Sequence, residues 1–383
     1  MTKKLNFTYV IPVLVSFFVM SFCDLVGIGV DRVQLDFVLS NTLAQLIPSA
    51  VFVWFFILSV PIGILQDRIG KRNMVNIGMG ITAIGLFVPF LFYTFTTVLF
   101  GFALLGIGNT IVQVSANPLL VDVAPSNRTS SFLSFSQFIK AIGSMIAAPL
   151  AGFFALKFGD WKILFLVFGV VSVLSVLWLS MIKIEETRNL EKRATFGSSF
   201  GLLSSGFIFM MVLGIFLVVG IDVGINAVSG QFLLNKFHSS QTFCESGRSV
   251  YFFGKMLGTF GGALMLTMLP SRKFFLWSSI LAVLSIVALI FAPTAMSAMV
   301  IIFIIGLGVA NIFPLIFSLS VEKYPVRTNE ISGLMIMAVS GGAVIPLLIG
   351  SLTDNVGVTA GMLVLVACAV YELFTALVNL KRV

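Results

Sequence analysis

Twelve apolar runs recur along the chain, at about 8–29, 42–65, 73–93, 96–121, 131–156, 161–182, 200–234, 249–269, 274–292, 295–319, 329–352 and 358–379. About 20 apolar residues suffice to cross a bilayer as a helix. The pattern predicts an all-α membrane protein of twelve transmembrane helices in two six-helix halves. Charge agrees: 10% of the 383 residues are charged, with a mean hydropathy of +1.11, whereas soluble proteins carry about 25%. The longest polar interruption, Lys183 to Ala194 (KIEETRNLEKRA), lies at the midpoint. It predicts a six-helix bundle over 1–182, a cytoplasmic linker over 183–199 and a second bundle over 200–383.

The basic residues set an orientation. Of the 23 Lys and Arg, 16 fall in the termini and the even-numbered connections, five in the odd-numbered ones, and Lys140 and Lys255 within spans. The positive-inside rule places both termini and the linker in the cytoplasm. The net charge of +8 then reflects basic loops and excludes a nucleic-acid partner. On this orientation the sequon at Asn127 faces the cytoplasm and is a chance match. Cys23, Cys244 and Cys368 show no metal-ligand spacing and are expected as free thiols, Cys244 on the periplasmic side. The first run has no small-residue cleavage site and reads as a retained span. No phosphate-binding loop, nucleophile–histidine pair or metal cluster is present in the sequence, so neither an enzyme nor a cofactor is expected.

Polar residues inside the spans are the candidate site. Lys140 lies near the middle of Ser130–Phe158, where a lysine costs roughly 2.5–3.5 kcal/mol on insertion scales. It therefore faces a partner or a water-filled cavity: a structural salt bridge, or a substrate or ion pathway. We expect it to pair alternately with Asp24 or Asp222 and with substrate. Asp222 and Asn226, four apart, share one face of the seventh span. Gln113, Asn117, Gln137 and Asn311 offer amides that suit hydroxyl groups, though amides also join helices. Lys255 sits near a helix end, where a lysine snorkels. Glu372 is expected in a structural bond or at the inner interface, and His238 in an exposed loop. Gly101, Gly106, Gly108, Gly220, Gly224 and Gly230 permit close, sliding helix contacts.

The loop Gly63-Ile-Leu-Gln-Asp67-Arg68-Ile-Gly70-Lys71-Arg72 resembles the G-x-x-x-D-R-x-G-K/R-R loop of the major facilitator superfamily. Gly63 allows close helix approach, Asp67 a cap or ion pair, and Gly70 a tight turn, with Arg68, Lys71 and Arg72 on the cytoplasmic side. Gly159-Asp160-Trp161-Lys162 is similar to that superfamily's G-W-R element. Ser115-Ala116-Asn117-Pro118, Gly254-Lys255-Met256-Leu257-Gly258, Phe313-Pro314-Leu315-Ile316-Phe317-Ser318-Leu319 and Gly341-Gly342-Ala343-Val344-Ile345-Pro346 resemble elements of the fucose–proton symporter family, in order along the chain. The resemblance implies a monomeric permease in the inner membrane that takes up a monosaccharide with a proton or sodium ion. The chain departs from that family at coupling. Gln113 stands where the family has a glutamate, the first-span aspartate falls near Ile28 with Asp24 one turn earlier, and a Q-x-x-N element becomes Gln137-x-x-Lys140. An anionic sugar acid held by Lys140 is the alternative. A transporter-like sensor is disfavoured by tails only a few residues long.

Overall fold

The computed structural model describes residues 6–39, 43, 46–187, 194–238 and 241–380. Among them every regular element is a helix. The first span is α1 (Phe7–Met20), a 3-10 turn (Ser21–Leu25) and α2 (Val26–Asp36). Spans two to six are α3 (Leu46–Ile69), α4 (Lys71–Leu91), α5 (Phe95–Val123), α6 (Thr129–Phe158) and α7 (Ile163–Ser180). After the short helix α8 (Phe196–Gly201) come α9 (Gly206–Phe237), α10 (Gln241–Met265) and α11 (Ser271–Ile290). The tenth span is α12 (Ala295–Val309) with α13 (Ile312–Lys323), the eleventh α14 (Thr328–Met337) with α15 (Gly341–Val356), and the twelfth α16 (Val358–Leu380).

Among the described residues, eleven of the twelve spans are long and apolar enough to cross a membrane by length and composition. The exception is α10, which carries Glu245, Arg248 and Lys255. It also starts at Gln241 rather than near 249, because its early turns are polar and read as loop. Cys244 therefore falls on a helix, its side chain outside the described residues. Cys23 and Cys368 are buried free thiols.

The fourth and tenth spans begin alike. Thr94 with Thr97, and Thr294 with Ser297, form reciprocal capping boxes. Each satisfies amide groups that a helix start leaves open. Matching starts in the two halves are what an internal duplication produces.

Contacts divide the chain into two units that do not follow the halves throughout. One holds Met1–Asn127, Ile139–Gly201 and Tyr324–Met337; the other holds Arg128–Phe138, Leu202–Lys323 and Ala338–Val383. The start of the eleventh span thus joins the first unit. A Cβ on Gly63 would lie 2.9 Å from the Asn329 carbonyl oxygen and 3.1 Å from the Gly333 Cα, and Ser332 donates to the Val114 carbonyl at 2.6 Å. The start of the fifth span joins the second unit: Ser130 Oγ lies 2.7 Å from both Ser271 Oγ and Ser318 Oγ. Gly63→Val is expected to cost about 1–3 kcal/mol through overpacking, because the atoms it meets are backbone. A lowered thermal midpoint of the purified protein checks this; an unchanged midpoint would show the contact to be slack.

Within the first unit Phe22 stacks on Phe168, with centroids 4.1 Å apart. In the second unit Ile215, Tyr251, Phe275, Ile302 and Leu365 are fully buried. Large apolar side chains also lie exposed, among them Phe56, Leu174, Trp277, Leu347 and Phe374. Apolar exposure on this scale marks a surface that meets lipid rather than water. The Gly159–Lys162 element is a fastener: Trp161 Nε1 and the Tyr93 hydroxyl both donate to Asp36 Oδ2, at 3.0 and 2.6 Å. Burial, reinforced by that bond to Asp36, raises the Tyr93 hydroxyl above the ordinary phenol range.

Candidate functional site

The first unit builds its polar site around the interruption of the first span. After Met20 the backbone tightens into the 3-10 turn Ser21–Leu25, which carries Asp24. A short 3-10 stretch inside a long helix often marks a functional hinge. Two helices hold it. From α5, Asn109 donates to the Met20 carbonyl at 2.5 Å, and Gln113 donates to Asn109 Oδ1 at 2.7 Å. From α6, the Ser144 hydroxyl donates to Asp24 Oδ2 and, at 3.1 Å, to the Lys140 carbonyl one turn earlier. Gly143 makes this approach possible, since a Cβ there would overlap the Ser21 hydroxyl.

Asp24 is exposed and Lys140 half-buried. Among the described residues Lys140 forms no ion pair within 4 Å. Asn117, one turn beyond Gln113, donates to the Gln113 carbonyl at 2.8 Å. Its own Oδ1, like the Ser115 hydroxyl, is buried with no partner among the described residues. Such atoms cost free energy until something donates to them. Gln137 is half-buried on α6.

The second unit holds a different cluster. Lys255 Nζ lies 2.5 Å from Asp222 Oδ2, and the buried Tyr251 hydroxyl donates to Asp222 Oδ1 at 2.6 Å. Asp222 is paired here with Lys255, which reaches inward rather than snorkelling. The reason is spacing: Tyr251 and Lys255 are four apart and share one face of α10. Asn226 lies one turn past Asp222 on α9, its side chain outside the described residues. Asn311 sits at the junction of α12 and α13 and donates to the Gly258 carbonyl at 2.7 Å. A Cβ on Gly262 would lie 2.4 Å from its amide, so Asn311 fastens the tenth span to the eighth.

The Gly63–Arg72 loop is wired to the linker and to the eleventh span. Gly70 has φ 96°, a conformation open to glycine at little cost, and α4 starts directly after it. The Glu186 carboxylate accepts from the backbone amides of Lys71 and Arg72 at 2.8 and 2.9 Å, a carboxylate at the positive end of a helix. Asp67 accepts from the Ala194 amide at 3.0 Å and from the Asn329 side chain. Lys71 does not face solvent as a loop lysine would. Its ammonium lies 2.6 Å from Asp122, with the side chains 2% and 5% exposed, and also donates to the Thr187 carbonyl at 3.1 Å. Arg68 is exposed, and Arg72 donates to the Ser180 carbonyl at 3.3 Å. The sequence reading missed Asn109, Asp122, Ser144, Glu186 and Asn329. Asn109, four residues before Gln113, and Ser144, four residues after Lys140, left a signal that sequence spacing alone carries.

Comparison with known proteins agrees with this architecture. The family model described as Major Facilitator Superfamily matches residues 12–346. A glucose/galactose transporter of Brucella abortus is 26% identical over 365 residues, 90% of this chain and 87% of that protein. The crystal structure of FucP, the fucose:proton symporter of E. coli, superposes with a TM-score of 0.84 at 19% identity, covering 97% of this chain and 99% of that one. The proton:xylose symporter XylE follows with a TM-score of 0.75 at 14% identity, covering 98% and 95%. By the extent of that family match, the chain belongs to the Major Facilitator Superfamily.

Proposed function

We propose that the chain is a secondary active transporter that takes up a monosaccharide together with a proton by alternating access. As a member of its superfamily it is a multi-pass membrane permease and not an enzyme. The observation that carries the proposal is the polar cluster at the break in the first span: Asp24 exposed, Ser144 bonded to it, Lys140 one turn away and the Asn109–Gln113–Asn117 amides beside it. Ionisable groups within membrane spans mark substrate and ion pathways, and transporter sites form at interrupted helices. Amides accept and donate, as a sugar hydroxyl requires of its partners. Relatives of similar length are sugar transporters, and two similar folds are proton symporters.

In this reading Gln113, Asn117 and Gln137 bind hydroxyl groups, and Asp24, Asp222 and Lys140 are the coupling groups, with Lys255 paired to Asp222. Asn226 and Asn311 are the candidate binding residues of the second unit. The loop Gly63, Asp67, Arg68, Gly70, Lys71 and Arg72 controls the conformational step. The chain works as a monomer with cytoplasmic termini in a bacterial inner membrane. A second reading rests on Lys140, which has no acid within 4 Å among the described residues: it holds the carboxylate of a sugar acid.

Proteoliposome uptake with glucose, galactose, fucose and glucuronate tests both. Neutral-sugar accumulation that collapses in Lys140→Gln supports the first reading. Uptake of glucuronate alone supports the second, and uptake of none contradicts both. Orientation has its own check. A membrane-impermeant thiol reagent added to whole cells should label Cys244 but not a cysteine placed at Asn189; the reverse pattern would invert the topology.

A further inference from the structure

The twelfth span carries a polar stripe that the reading above does not use. Cys368, Glu372, Thr375 and Asn379 recur at helical spacing on the buried face of α16, opposite exposed Val370, Phe374 and Leu377. Glu372 is 0% exposed. Neither of its carboxyl oxygens has a hydrogen-bond partner among the described residues. Gly214 of α9 makes the room: a Cβ there would lie 3.4 Å from Glu372 Oε2 and 3.0 Å from Ile316 Cδ1.

A carboxylate so placed would lack donor and counter-charge, which burial penalises heavily. The groups around it do not offset this. On α16, Tyr371 donates to the Met210 carbonyl at 3.2 Å, and Cys368 is a buried free cysteine. On α9 the ionisable groups are Asp222, two turns beyond Gly214 and bound to Lys255, and Lys236 farther on. On α11 they are Arg272 and Lys273 in the first turn, and on α13 Glu322 and Lys323 in the last. On α15, Asp354 has its side chain outside the described residues. No ion pair reaches Glu372 among the described residues. The neutral acid is the form that this site accepts.

The stripe does not end blind. Asn379, about 10 Å along the helix from Glu372 at 1.5 Å per residue, lines a cavity of about 280 Å³ with Phe207, Arg272, Leu319, Glu322 and Lys323. Between them lies the Thr375 hydroxyl, beside the Tyr371 side chain, while the Asn379 amide donates to the Thr375 carbonyl at 2.8 Å. We propose that Glu372 is a proton-binding site of the second unit, loaded and emptied through the Thr375–Asn379 stripe and the charged cavity at its end. In release the Glu372 O–H bond breaks, the electron pair stays on the carboxylate, and the proton passes by way of the Thr375 hydroxyl to water in the cavity; loading is the reverse. On the orientation proposed above the cavity opens to the cytoplasm, so the site is where a co-transported proton leaves. That last clause rests on the transport reading; proton binding itself does not.

Infrared titration of the purified protein decides the binding. A protonated-carboxyl C=O band should be present in the parent, fade as pH rises and be absent from Glu372→Gln. A spectrum and titration unchanged in that variant would overturn the proposal. Should Glu372→Gln fail to fold, Thr375→Val keeps the acid and should slow hydrogen–deuterium exchange of the band, and an unchanged exchange rate would overturn the route. In liposomes, Glu372→Gln should reduce proton-driven accumulation far more than sugar exchange; equal loss of both would overturn the role in release. A parent that moves no sugar would fail the transport reading and leave the infrared result standing.

Discussion

Lys71→Met is expected to lower the stability of the first unit by about 3–5 kcal/mol, the range seen when one member of a buried pair is removed. The pair with Asp122 is 2.6 Å long and almost fully enclosed. Desolvation of both charges has already been met in the folded state, so losing the ammonium removes its attraction for the Asp122 carboxylate while that penalty remains. The effect extends beyond the pair, because Lys71 also donates to the Thr187 carbonyl and its own amide is capped by Glu186. Lys71→Met should therefore loosen the linker as well as α4. Asp122→Asn added to it should recover part of the loss, since the remaining side chain is then neutral. Thermal unfolding of the parent and the two variants in detergent measures this. A Lys71→Met protein as stable as the parent would mean the ammonium is only a loop charge.

Lys255→Ala is expected to abolish gradient-driven accumulation while costing less stability, about 2 kcal/mol, because its side chain and that of Asp222 are 25% and 23% exposed and solvent screens part of the interaction. The pair joins the seventh and eighth spans, and Tyr251 fixes the other carboxylate oxygen. If Asp222 is a coupling acid, removing the ammonium takes away the partner that fixes its carboxylate in place. Asp222→Asn with Lys255→Gln should restore stability but not accumulation. Stability and accumulation both recovered would assign the pair to scaffolding.

Span number was legible from run length alone, and Asp24, Gln113 and Lys140 stand out against apolar neighbours as candidates. The eighth span's start was not. The stretch from Gln241 to Val250 is polar and reads as loop; it is helical because α10 continues into tight packing on α12, where a Cβ on Gly254 would lie 2.3 Å from the Phe303 carbonyl oxygen. Pairings between spans were not legible either. Lys71 with Asp122 and Lys255 with Asp222 depend on which helices are neighbours, and local spacing carries no such information. Glu372 read as a structural acid because its helix position gives no sign that both oxygens lack partners. The exchange of segment starts between the two units follows from Gly63 meeting Gly333 and from the Ser130 contacts, each a fit of two distant surfaces.

Sugar-induced proton entry tests the central claim most directly. The purified protein is placed in weakly buffered liposomes with no imposed gradient, and glucose, galactose or fucose is added outside while external pH is recorded. Symport predicts that at least one sugar produces an alkaline shift outside, abolished by a protonophore and absent from protein-free vesicles. Sugar entry with no pH change, or entry that follows an imposed sodium gradient instead, would contradict proton coupling. No movement of any sugar under either gradient would contradict the transport reading itself.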